Sequence, residues 1–219
     1  MKKDLVLYGN ENFAKLIKWY IDNDDDRNIV AVTVEEEYIT GTHFEGLPVI
    51  PFEKIQELYS PDDIEILIGI GYSKMNNVRK RIFEACKKKG YTIASYIHSS
   101  CILSDVQMQE GNIILEDTLI EPFVQIGAGN IIWCKISIAH NCKIGNFNTI
   151  AGMASLCGFS EINNNCFLGN GCIIRDKIKI ADYTLVGASA YAASDTEAYN
   201  VVAANKGIVL SNKSSMDFL

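Results

Sequence analysis

The chain has 219 residues, 48% hydrophobic and 21% charged, enough for a sizeable core and for two compact domains. Twenty Lys and Arg against 27 Asp and Glu leave a formal charge of −7, and no stretch interleaves basic with aromatic residues, so a nucleic-acid partner is excluded. Seven cysteines without a CxxC pair, and only three histidines, give no basis for a metal site, and the apolar run at 5–8 is too short for a leader or a membrane span. A cytoplasmic chain with reduced thiols is the expectation.

Up to residue 97 the pattern alternates strand-like runs (5–8, 29–34, 64–70, 92–97) with helical ones (13–22, 52–59, 76–89), which predicts a small α/β domain with a parallel sheet. In the last helix Val78, Ile82, Phe83 and Cys86 fall at i, i+4, i+5 and i+8. Arg79, Lys80, Arg81 and Lys87 to Lys89 take the other faces, so the charge run reads as a solvated surface. Gly90 stands where a helix C-terminal cap is wanted.

Beyond residue 100 the periodicity changes. Ile102, Met108, Ile114, Ile120, Ile126, Ile132, Ile138, Ile144, Ile150, Leu156, Ile162, Leu168, Ile174, Ile180 and Val186 are all apolar and six apart. Neither a helix nor an ordinary strand repeats at six, whereas a solenoid of stacked turns does. Small residues (Gly127, Gly145, Ala151, Gly169, Ala181, Gly187) often follow the aliphatic one. Others (Thr118, Cys142, Ala154, Ser160, Cys166, Cys172, Thr184) precede it by two, so three cysteines read as buried stacking residues. About five coils are expected over 101–190, with Ile102 through Val186 pointing inward.

Units such as Cys142-Lys143-Ile144-Gly145-Asn146 and Cys166-Phe167-Leu168-Gly169-Asn170, within a run over 104–202, resemble the hexapeptide-repeat transferases. Their fold is a left-handed parallel β-helix with three hexads to an 18-residue triangular coil. Three further stretches are similar to the sugar acyltransferases related to sialic acid O-acetyltransferase and to the N-acetyltransferases of nucleotide-linked amino sugars. They are Leu5-Val6-Leu7-Tyr8-Gly9 before a helix, Leu67-Ile68-Gly69-Ile70-Gly71-Tyr72 before the Arg-rich helix, and Tyr96-Ile97-His98-Ser99-Ser100. The resemblance implies a Rossmann-like sugar- or nucleotide-binding domain over 1–98 and a β-helix acyltransferase domain over 99–219. It also implies acetyl-CoA as co-substrate, a nucleotide-linked or free sugar as acceptor, and a homotrimer.

His140 is the one histidine inside the repeats. Acetyl transfer from a thioester requires the acceptor amine or hydroxyl to lose a proton, and an imidazole titrating near neutrality suits that task. The residues alone leave His140 as either a base or a structural imidazole; the resemblance places it where the family keeps its general base. One coil on, Gly158 would lie about 4.8 Å away, the strand separation within a sheet. There its N–H could face a developing oxyanion, or it could serve only the corner turn.

Four departures from the family pattern bear on the site. The acidic residue expected after the histidine is Asn141, and Thr149 replaces a second histidine found in some relatives. The terminal Gly-Asn-Pro-Ala segment appears as Ala204-Asn205-Lys206-Gly207, leaving Lys206 as a coenzyme contact. The phosphate loop is Gly9-Asn10-Glu11-Asn12, with one glycine and a carboxylate, so a dinucleotide fingerprint is absent. With Thr33 at the end of the second strand, and Gly71 and Tyr72, this loop makes up the expected sugar or nucleotide contacts. N-acetylation of a nucleotide-linked amino sugar is the main expectation; O-acetylation and a non-catalytic sugar-nucleotide-binding scaffold are the alternatives. A zinc hydratase of the same fold would need several histidines per site and has one here.

Overall fold

The structure is a computed structural model and describes residues 3–207 together with Ser214 and Met216. The first sheet contains β1 (Asp4–Tyr8), β2 (Ile29–Val34), β3 (His43–Phe44), β4 (Leu47–Pro51) and β5 (Ile64–Ile68), in the order β3-β4-β2-β1-β5. β1, β2, β4 and β5 pair in parallel; the apolar residues of β1, β2 and β5 are mostly buried, as strands covered by helices require, while those of β4, nearer the edge, are half-buried. The β3–β4 hairpin is antiparallel, so the sheet is mixed at one edge. Glu45 and Gly46, with φ of 48° and 82°, make its tight turn. The run at 92–97 does not extend the sheet as one strand. Ile93 makes a single bridge to Ile66, and Tyr96–Ile97 pairs with Ile113–Ile114 of the following solenoid.

Helix α1 (Asn12–Asp24) buries Ala14, Ile17, Tyr20 and Ile21; α2 (Ile55–Leu58) is one short turn. Helix α3 (Asn77–Lys88) buries Ile82, Phe83 and Cys86, and Gly90 follows it at φ 91°. One residue of its charge run departs from the expected solvated face. Arg79 is 2% exposed, and burial pushes its pKa down to about 9, still above neutrality. Its guanidinium points into the junction with the solenoid, where backbone carbonyls that no periodicity reveals satisfy it.

From residue 96 on, two-residue strands stack into three parallel sheets of six, five and seven strands. Partners lie 18 residues apart, as in Ile126↔Ile144, Ile144↔Ile162 and Ile162↔Ile180, and the fifteen strands from Gln107–Met108 to Tyr191–Ala192 make five coils. The second residue of most pairs points inward, so Ile114 to Val186 form one column-built core with Cys142, Cys166 and Cys172 inside it. Fully burying each such aliphatic side chain contributes about 1.5–3 kcal/mol. Ile102 is a correction to the repeat: it is 62% exposed, and Leu103 pairs with Ile120 in its place. The corner between Leu103 and Met108 is one residue short, so the six-residue spacing holds from Met108 onward and slips before it.

Each coil turns its corners through a left-handed residue. Asp105, Phe123, Asn141, Phe159 and Lys177 form one such column, with φ between 51° and 67°. The three faces of the prism differ. One carries outward Ile113, Ile131 and Thr149, all buried under the α/β domain. A second carries Gln107, Gln125, Lys143, Glu161 and Lys179, and Lys143 pairs with Glu161 at 2.9 Å. The third presents exposed Ile102, Leu119, Ile173 and Tyr191.

Candidate active site

His140 lies at the corner between strands Ser137–Ile138 and Lys143–Ile144. The left-handed Asn141 turns its side chain back onto the ring, with Oδ1 3.0 Å from His140 Nδ1. An amide oxygen only accepts, so Nδ1 carries the proton and the Nε2 lone pair is left available. Two further contacts fix the residue. Its backbone N–H donates to Glu121 Oε2 at 2.8 Å, and the Phe159 ring meets the imidazole at 5.2 Å and 90°. Glu121 was not among the expected site residues. The signal is an acidic side chain one coil, plus one position, before the histidine.

Pro122, His140 and Gly158 stack in one column, as period arithmetic requires. Asn141 N–H donates to Pro122 O, Phe159 N–H to His140 O, and Lys177 N–H to Gly158 O. A Cβ at position 158 would stand 3.2 Å from both Nε2 and Cε1 of His140, so any side chain there would crowd the lone pair. Among the described residues, none accepts a hydrogen bond from the Gly158 N–H. A basic nitrogen and an unengaged backbone donor therefore share one exposed edge, a pairing suited to proton removal beside a developing negative oxygen.

The buried cysteines of the solenoid do not join it. Cys142 is buried, its thiol donates to Cys157 O at 3.2 Å, and burial pushes its pKa up. The same cause raises Cys166 to about 12 and Cys172 to about 11. None is a thiolate at neutral pH.

A separate cavity of about 310 Å³ opens where the N-terminus of α1 meets the solenoid. Asn12, Phe13 and Leu16 line one side, Gly71 and Tyr72 another, and Ile131 and Trp133 the solenoid wall. It lies beyond the C-terminal ends of the parallel strands β1 and β5, and Phe13 and Trp133 set their rings 5.7 Å apart within it. Of the expected sugar or nucleotide residues, Asn12, Gly71 and Tyr72 line this cavity.

Gly9, Asn10 and Glu11 do not line it. Gly9 serves a close approach to Gly69, whose oxygen would lie 2.9 Å from an added Cβ, and Asn10 donates to Tyr38 O at 2.8 Å. Thr33 is fully buried, and its hydroxyl donates to Ile50 O at 3.0 Å, so it cross-links β2 to β4 and is out of reach of a ligand. Lys206 is exposed on the segment after the last strand. Trp133 was missed, although it occupies the place after the aliphatic residue where most hexads carry a small side chain.

The α1–solenoid cavity and the His140 edge do not converge within one chain. The cavity is on the face covered by the α/β domain, whereas His140 sits at the opposite corner of the prism. A trough of about 460 Å³ on the charged face, between Gln125, Lys143 and Glu161, is larger but bears no group suited to proton transfer near neutrality.

No family model matches the chain. GDP-perosamine N-acetyltransferase of Escherichia coli is 27% identical over 109 residues, 47% of this chain and 47% of that protein, so the match spans about half of the relative's length. The acetyltransferase domain of PglB from Neisseria gonorrhoeae, solved in complex with acetyl coenzyme A, superposes with a TM-score of 0.79 at 18% identity. That superposition covers 92% of this chain and 96% of the domain. PerB from Caulobacter crescentus, in complex with CoA and GDP-perosamine, gives 0.67 at 19% identity over 91% of each chain. This chain, an α/β domain joined to a left-handed β-helix, has the fold of the hexapeptide-repeat sugar acetyltransferases, and its relatives are among them.

Proposed function

We propose that the chain transfers an acetyl group from acetyl-CoA to the amine of a nucleotide-linked amino sugar, a step toward bacterial surface polysaccharide, with His140 as general base. The observation that carries this reading is the free Nε2 of His140 facing the side-chain-free Gly158 with its unengaged N–H. The amine nitrogen attacks the thioester carbonyl carbon as its proton passes to Nε2, and the charge on the carbonyl oxygen faces the Gly158 N–H. The carbon–sulfur bond then breaks, the leaving sulfur takes the proton from the imidazolium, and an amide and the free thiol of coenzyme A remain. The transfer is direct and uses no acyl-cysteine: Cys142 points into the core, where its thiol is engaged by Cys157 O.

The sugar-bearing substrate is assigned to the aromatic cavity at α1. Since that cavity and His140 occupy different sides of one prism, the reaction needs a neighbouring copy to bring them together. The open face, with exposed Leu119, Ile173 and Tyr191 among its outward residues, supports a trimer built by association of β-helices.

Thiol release from acetyl-CoA in the presence of nucleotide amino sugars tests the reading. His140→Ala is expected to stay folded and assembled while kcat falls by roughly two to four orders of magnitude. Turnover close to that of the native chain in the folded variant removes His140 from the chemistry.

A further inference from the structure

Between the cavity-lining Tyr72 and helix α3 the chain runs through three consecutive non-glycine residues in left-handed conformation: Lys74, Met75 and Asn76, with φ of 50°, 49° and 64°. L-residues resist this conformation, and a run of three persists only where surrounding contacts over-determine it. Those contacts come from the solenoid. Met75 O accepts from Asn165 Nδ2 at 3.1 Å. Asn76 is fully buried; its Nδ2 donates to Cys166 O at 3.1 Å, and its Oδ1 accepts from Thr149 Oγ1 at 2.7 Å and from Arg79 Nη2 at 3.1 Å.

Arg79 spans both walls of the cavity. Its Nη1 donates to Gly71 O at 2.6 Å, on the wall carried by the α/β domain. Nε and Nη2 donate to Gly129 O at 2.9 Å and Asn148 O at 3.0 Å on the solenoid. The Asn148 carbonyl also accepts the backbone N–H of Ile131, which lines the cavity's other wall. The two walls are thus joined through one buried guanidinium that has no carboxylate partner among the described residues. A simpler apolar contact would hold two domains together, but a fan of directional bonds to backbone carbonyls sets a distance and an angle as well.

We propose that Arg79, Asn76 and Thr149 form a positioning device that uses the left-handed turn to hold Gly71 and Tyr72 at a set separation from Ile131 and Trp133. Through that separation the device governs how tightly the cavity takes the nucleotide part of its ligand. This rests on the assignment of the cavity to the sugar-bearing substrate. It also gives Thr149 a role, at the position where some relatives carry a second histidine.

Asn76→Gly tests it with little backbone cost, because glycine adopts the left-handed conformation freely while the amide contacts are lost. The expected result is a tenfold or greater rise in KM for the nucleotide amino sugar, with kcat and the KM for acetyl-CoA within twofold. Thr149→Val, which removes one hydroxyl, moves the same constant by a smaller factor and carries the comparison if Asn76→Gly does not fold. Trp133 emission supplies a readout independent of turnover. In a Trp19→Phe background, titration with UDP and with GDP is expected to show a midpoint raised by the same factor. An unchanged sugar KM and midpoint in both folded variants overturns the proposal, as does a rise shared equally by both substrates, which marks general loosening. If the native chain turns over but Trp133 responds to no nucleotide or nucleotide sugar, the cavity assignment fails and the proposal with it. If Trp133 responds in a chain without turnover, the acetyl-transfer reading fails, and the variant midpoints alone decide the positioning role.

Discussion

In the proposed mechanism Asn141 orients His140 but does only half of what a carboxylate there would do. Its Oδ1 fixes the Nδ1–H tautomer at 3.0 Å but adds no charge to stabilise the imidazolium. Asn141→Asp is therefore expected to move the acidic limb of the kcat/KM profile to higher pH, one unit corresponding to about 1.4 kcal/mol. An unmoved limb in an active variant places the imidazole against a different partner. A second residue-scale effect belongs to Glu35. The hydrogen-bonded Arg81 guanidinium, at 2.5 and 2.8 Å, holds its carboxyl below the usual carboxylate range. A depressed folded-state pKa gives stability that is present above the unfolded value and lost as pH falls through the folded one. Thermal melts of Arg81→Met and the native chain should differ at neutral pH and converge below the normal carboxylate range. A gap that persists in strong acid points to packing of the Arg81 stem instead.

At the scale of elements, the covered face of the solenoid is held by a ladder that the apolar repeat conceals. Asn112 Oδ1 accepts the N–H and Nδ2 of Asn130, Asn130 Oδ1 accepts the N–H of Asn148, and Asn148 Oδ1 accepts the N–H of Cys166. All three asparagines are fully buried. Asn130→Ala leaves the Asn148 N–H without its acceptor inside the core, and an unsatisfied buried group costs about 1–3 kcal/mol. Denaturant unfolding with an unchanged m-value and a lower midpoint is the expected outcome; an unshifted midpoint means water replaces the lost acceptor. The 18-residue spacing of Asn112, Asn130 and Asn148 is visible in the sequence. Each stands two before an aliphatic residue, in a register held elsewhere by Thr, Ser, Ala, Cys, Val and Ile.

At the scale of the molecule, one prism face lies under the α/β domain, one is charged, and one is open, with exposed apolar residues on either side of Ser137 and Ser155. Its outward strand positions include exposed Leu119, Ile173 and Tyr191, the residues on which the proposed association of β-helices rests. If the β-helices associate as proposed, replacing Ile173 and Tyr191 together by Glu gives a folded monomer by sedimentation with turnover lost, because the proposed trimer is what brings the cavity and His140 together. A monomer that keeps its turnover would show that one chain suffices.

The six-residue repeat alone determined the solenoid. One inward residue per short strand is a local rule, repeated so often that the inward set follows from it, and with the three hexads per coil that the family resemblance implies, so does the stacking of His140 with Gly158. The alternation of strands and helices before residue 97 likewise specified a parallel α/β unit. Tertiary structure decided what depends on the meeting of distant segments. Arg79 reads as a solvated helix charge until the carbonyls of Gly129 and Asn148, 50 and 69 residues away, surround it. Thr33 reads as a ligand contact until Ile50 O takes its hydroxyl. The cavity wall at Trp133 exists only because α1 docks beside it, and the outward turn of Ile102 depends on a corner one residue short. Periodicity records which side of its own element a residue occupies, and it carries no information about which other element comes to cover that side.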